Sequence, residues 1–174
     1  MKRFLSDIWM AVAGILAFCL MAVPAYSYKI GVTGLTSETT NVNLYDVIKI
    51  EDAENELLTL KIFGIIMIVV ASILIALAVV DVILKMANVK FEITGTMATV
   101  AIAVGLVVAI GLLISNISVV SALSKNAVSL GGFSAGVQDP KIGACAILML
   151  VAFIGTVLLN IFCGSTKGKA KRRR

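Results

Sequence analysis

Few residues in this chain could carry out chemistry, and they are scattered. There is no histidine, which removes the commonest general base and metal ligand, and Cys19, Cys145 and Cys163 lack any paired metal-binding spacing. No nucleophile, base and orienting group recur together, so the expectation is a non-enzyme without cofactor or metal. Asp81 is the one carboxylate inside an apolar run, and charged groups at membrane depth are often functional. Lys85 follows one helical turn later, however, so the two can pair and reach toward the interface together. The rival reading is a proton or ion site completed by Asp7 and Asn160 from other helices. Ser115, Asn116 and Ser118 form a polar collar whose expected use is interhelical hydrogen bonding, on the order of 1 kcal/mol per good bond in a bilayer. The triplet Asn116-Ile117-Ser118 also fits a glycosylation acceptor, but it lies against the membrane, where the modifying enzyme reaches poorly. Lys167, Lys169, Lys171, Arg172, Arg173 and Arg174 make a basic tail. Directly after an apolar segment, such a tail points to anionic lipid headgroups rather than nucleic acid.

The elements that must position these residues follow from hydropathy. With 60% hydrophobic and 14% charged residues in a chain of 174, and a mean hydropathy of +1.06, the composition belongs in a bilayer. Four apolar segments are predicted as spans, 8–26, 61–85, 92–123 and 140–163, in one membrane domain. The third is the longest. Within it Ala101, Gly105 and Ala109 share one helix face and leave it nearly bare, a seam against which another backbone can pack. Similar small pairs are Ala13 with Ala17, Ser72 with Ala76, and Ala152 with Thr156. Ala25-Tyr26-Ser27 satisfies the rule for a secretory cleavage site, but the apolar run before it is long for a signal peptide, so an uncleaved first span is expected.

Between the first two spans, 27–60 is predicted as an extracellular segment with a small β-hairpin, its strands at 28–32 and 42–50 and GLTSETTN between them. Residues 86–91 read as a short cytoplasmic turn, 124–139 as a Gly- and Ser-rich outer loop or short strand, and 164–174 as the basic cytoplasmic tail. Asp139-Pro140 reads as a helix start, with Asp as N-cap and Pro at the first helical position. On this plan ten Lys and Arg lie on the side of the termini and five on the other, so the positive-inside rule puts both termini in the cytoplasm.

The fold expected is therefore an all-α membrane protein of four transmembrane helices with a small β-hairpin-like first extracellular segment. This plan, with its larger first outer segment, short inner turn, overlong third helix and basic tail, resembles the layout of claudin-like tetraspan proteins. It lacks a Gly-Leu-Trp motif and a cysteine pair in the first outer segment, and the sole tryptophan is Trp9. The function expected is association, with copies of the chain or as an accessory subunit of another membrane protein complex. The alternatives are a channel or transporter subunit with a Ser/Thr/Asn-lined pore, and a small membrane immunity or regulatory protein. The partners expected are membrane lipid and a homo-oligomer or other membrane protein, not nucleic acid.

Overall fold

A computed structural model describes residues 2–32, 36–51, 53, 55–87, 93–125, 128–130 and 133–171, and the side chains within 8–31, 38–51, 53, 56–87, 96–125 and 137–159. The chain is mostly helical. Its elements run α1 (Lys2–Met21), β1 (Pro24–Val32), β2 (Thr36–Asn43), α2 (Leu44–Lys49), α3 (Asn55–Met86), α4 (Ile93–Lys125), β3 (Val128–Leu130), β4 (Phe133–Ile142) and α5 (Ala144–Lys171). Among the described residues, two helices are long and apolar enough to cross a membrane, α3 over Glu56–Met86 and α4 over Thr96–Lys125. Among the described side chains, α1 contributes the apolar stretch Ile8–Met21 and α5 the stretch Ala144–Leu159, each part of a longer helix. Against the expected spans 8–26 and 140–163, α1 stops at Met21 and α5 starts at Ala144, because the chain from Pro24 and the chain up to Ile142 belong to strands; α5 then continues past 163. Pro24 follows the closing turn of α1, where Ala22 N donates to Cys19 O and Val23 N to Leu20 O, and a proline cannot continue that ladder. Most of the predicted turn 86–91 lies outside the described residues.

The chain forms two compact units, to each of which α3 and α4 contribute. One comprises Met1–Phe18, Met67–Ala109 and Met149–Arg174 and, among the described residues, is wholly helical. Small residues make much of its core: Ala13, Ala17, Ala71, Ala78, Ala98, Ala101 and Ala109 are buried, as are the larger Met67, Leu74 and Phe153, and Met10 packs with Ala78 and Ala98. A Cβ at Gly14 would lie 2.6 Å from Ile75 Cγ1 and 2.9 Å from the Ala71 carbonyl oxygen, so α1 and α3 touch nearly backbone to backbone.

The other unit comprises Cys19–Ile66 and Ile110–Leu148. It holds an antiparallel sheet of order β2-β1-β4-β3, which corrects the expected hairpin in three ways. First, GLTSETTN is not a turn: most of it is strand β2, paired along β1 from Val32↔Thr36 to Pro24↔Asn43. Secondly, 42–50 is not the second strand. Asn43 caps a helix there, accepting from Asp46 N at 3.0 Å while the Asp46 carboxylate accepts from Asn43 N, and Leu44 and Val47 are fully buried. Adjacent Val47 and Ile48 break a strand's alternation but suit a helix face. Lys61 Nζ donates to the Ile50 carbonyl, tying the end of this short helix to α3, and Gly64 makes room for Leu44 and Ile48.

Thirdly, the outer loop supplies β3 and β4, and β4 pairs with β1. Asp139-Pro140 therefore does not start a helix. Ser27↔Lys141 and Lys29↔Gln138 leave Asp139 and Pro140 as a bulge opposite Tyr28, where the missing N–H of proline costs no ladder bond. Asp139 takes the left-handed conformation, φ 44°, which aspartate tolerates better than most residues. Its carboxylate meets Lys29 Nζ at 3.5 Å, and Gln138 Nε2 donates to Gly31 O at 3.1 Å. Tyr26 is buried and its ring stacks on Tyr28 at 6.2 Å; burial first, then the charges of Tyr28 and Asp46, pushes its hydroxyl up to about 12. Gly143 N donates to Ala25 O at 2.7 Å, and a Cβ at Gly143 would overlap the Pro24 carbonyl. Only glycine lets α5 leave the sheet there.

Candidate functional site

The first turns of α3 and the second half of α4 enclose a groove within the sheet-bearing unit. Glu56, Thr59 and Phe63 recur at helical spacing and form one wall; Gly111, Ile114, Ser115 and Ser118 form the other, around about 460 Å³. A second recess of about 450 Å³ shares Glu56 and Ser118 and continues past Ile117, Ser121 and Ala122 to Lys125. The groove is graded along its length. One end is apolar, where the Phe63 ring lies against Gly111; the other holds a carboxylate, an ammonium group and serine hydroxyls. A Cβ at Gly111 would stand 2.5 Å from Phe63 Cε1, so the missing side chain admits the ring. Glu56 sits in the first turn of α3 and Lys125 in the last turn of α4, where each charge also suits its helix dipole.

Of the predicted polar collar, only part reaches this surface. Ser118 is exposed on the groove, Ser115 is buried yet lines it, and Asn116 is fully buried on the neighbouring face with Leu112 and Val119. The expected interhelical hydrogen bond fails at Asn116: neither its amide nitrogen nor its oxygen has a partner among the described residues. An unpaired buried amide costs roughly 1–3 kcal/mol, so this helix turn is held by its apolar neighbours. Other hydroxyls are satisfied within their own helices, Ser72 on Ile68 O, Ser124 on Val120 O and Thr156 on Ala152 O, each at 2.8 Å.

The remaining predicted residues lie elsewhere. Asp81 and Lys85 form an ion pair at 2.8 Å one turn apart, with the carboxylate 16% and the ammonium group 28% exposed. Ala101, Gly105 and Ala109 are buried inside the helical unit, and Phe153 of α5 occupies the space over Gly105. The seam is thus filled by this chain's own side chain. Asn160, Lys167, Lys169 and Lys171 lie on α5, and Arg172, Arg173 and Arg174 lie outside the described residues.

Glu56, Phe63, Ser121 and Lys125 escaped sequence reasoning as site residues because Glu56 reads as an ordinary helix-start charge and Lys125 as a loop residue. A signal was present: Gly111, Ser115, Ser118, Ala122 and Lys125 follow one another at steps of three or four along a single face. Among the described residues no cluster of His, Cys, Asp or Glu could hold a metal. Compared with known proteins, the chain matches no family model and no curated protein sequence.

Proposed function

We propose that this is a non-enzymatic integral membrane protein of four spans with both termini in the cytoplasm, and that its work is association between copies of the chain. The pairing of β1 with β4 supports the topology: strands on either side of α3 and α4 share one sheet, so an even number of crossings separates them. Two helices of spanning length supply that number.

The observation that carries the association is the free edge of the sheet. β3, at one edge, has three residues; β2, at the other, has eight, without proline or lysine and with Glu38 as its only charge. Natural edge strands are usually shortened, charged or bulged, because their unpaired N–H and C=O groups accept any other extended chain. Apart from Glu38, β2 has none of these protections along 36–43, and among the described residues nothing pairs with its outer side. A second β2, antiparallel about a two-fold axis, satisfies both edges with one isologous contact. An axis at Thr39 or Thr40 sets a threonine against itself, a favourable cross-strand pair, and keeps the two Glu38 carboxylates apart. The small-residue seams support less than the sequence implied, since those on α1 and α4 are spent inside the chain, while Ser72 and Ala76 on α3 remain exposed. A pore lined by Ser, Thr and Asn is the weaker reading, because Ser115, Asn116 and Thr156 are buried.

The test uses the full chain in nanodiscs, with its natural cysteines replaced and one cysteine at Thr39 or Thr40. We expect a dimeric particle mass and a disulfide between copies at one of the two positions but not at Lys141. Thr39→Pro should return the particle to a monomer with unchanged helical content. A monomeric mass for the parent would defeat the proposal.

A further inference from the structure

We infer that the groove between α3 and α4 is a binding site for one glycerophospholipid with a primary-amine headgroup. Its two ends match the two ends of such a molecule. Glu56 opens the candidate span Glu56–Met86 and Lys125 closes the candidate span Thr96–Lys125. Helices of this length, about 45 Å, exceed a hydrocarbon core of ~30 Å, so both charges fall in the headgroup layer. Phe63, Gly111 and Ile114 lie deeper, where an acyl chain runs. In this placement the ammonium group donates to the Glu56 carboxylate and the Thr59 hydroxyl oxygen, and the phosphate accepts from Lys125 Nζ and from Ser118 and Ser121.

Charge selects among lipids. A purely anionic headgroup satisfies Lys125 but sets a like charge against Glu56. A choline headgroup offers no N–H to Glu56, and among the described residues Phe63 is the only aromatic wall, too little to make a cage for a quaternary ammonium. A primary amine on a phosphodiester uses both charges. The combined space, two recesses of about 460 and 450 Å³, suits a headgroup with the upper part of one chain. This site is separate from the basic tail, which attracts anionic lipid without discriminating among headgroup shapes. It is also independent of the association proposed above.

The experiment takes the full chain in detergent and adds phosphatidylethanolamine, phosphatidylcholine or phosphatidylglycerol in turn, reading lipid adducts by native mass spectrometry and the thermal midpoint of each mixture. Phosphatidylethanolamine should be retained about tenfold more strongly than either competitor, the discrimination that one charge-assisted hydrogen bond supplies. Glu56→Gln, at an exposed position that leaves the fold intact, should abolish the preference over phosphatidylcholine, and Ser118→Leu should reduce retention of all three. A variant with Lys167, Lys169 and Lys171 replaced by glutamine should keep the preference. Equal retention of the three lipids, or a preference unchanged by Glu56→Gln, would overturn the assignment. A preference for phosphatidylglycerol lost only with the tail lysines would overturn it too, and would assign binding to the tail.

Discussion

Helix α4 carries two glycines that each face a phenylalanine ring, and the two contacts have opposite outcomes. At Gly105 the ring is Phe153 of α5, 2% exposed, and the glycine beneath it is buried. At Gly111 the ring is Phe63 of α3, half-buried, and both residues line an open groove. Six residues separate the glycines, so they lie on different faces of the helix and each contact belongs to its own unit. Exchanging a side chain for a ring therefore does not by itself decide between core and cleft. What decides is whether the ring's remaining sides are covered.

The largest expected effect tests the closed contact. Gly105→Leu forces a branched side chain into a ring that cannot swing away, and we expect a thermal midpoint lower by on the order of 10 °C, from ~3 kcal/mol of overpacking. Val104→Leu, one position away on an exposed face, should behave as the parent. Size-exclusion elution and thermal stability in one detergent compare them, and equal behaviour of the two variants would break the contrast at its closed end. Because Phe153 belongs to the same chain, the damage should appear in a monomer as much as in an assembly.

Deleting the rings comes next. Phe153→Ala should cost about 3 kcal/mol through the cavity it leaves, and Phe63→Ala about 1 kcal/mol, since lipid or detergent can enter the space beside Gly111. The same melting assay ranks them, and a reversed order would mean that the groove is the tighter packing. Smallest is Gly111→Ala. The added methyl would stand 2.5 Å from Phe63 Cε1, so the ring must swing into the open side of the groove. The ~1 kcal/mol by which alanine favours a helix over glycine offsets that shift, and stability should change by less than ~0.5 kcal/mol while the groove narrows. Mass spectrometry should then show weaker lipid retention at an unchanged melting temperature.

Hydropathy made α3 and α4 legible, because in a bilayer the rule that selects a helix needs only length and the absence of charge. The seam was legible as a packing face, though not whose side chain fills it: nothing local to Gly105 names Phe153, 48 residues away by chain numbering. The sheet was harder. β2 is a polar edge strand, so it lacks the alternation by which half-buried strands declare themselves, and its Thr, Ser and Asn residues read equally as a turn. The Asn43 and Asp46 pair was a helix-start signal three residues apart that the β-branched run around it concealed. Asp139-Pro140 carried a true helix-start composition in a strand bulge, because the left-handed backbone at Asp139 comes from pairing with β1 rather than from its neighbours. The groove needed both helices at once, and only Ser115 and Ser118 were visible beforehand as polar residues in an apolar run.

The sheet also sets a timetable for biosynthesis. Lys29 and Asp139, which meet across β1 and β4, are 110 residues apart in the chain. While the ribosome makes α3 and α4, β1 has β2 on one side and nothing on the other, and contacts so distant in sequence form late. The inner strand of the finished sheet is thus an edge strand throughout that interval. Completion of α4 is what ends the exposure, by delivering β4 to it. A defect in a helix that never touches β1 can then surface as aggregation of β1, the strand left waiting.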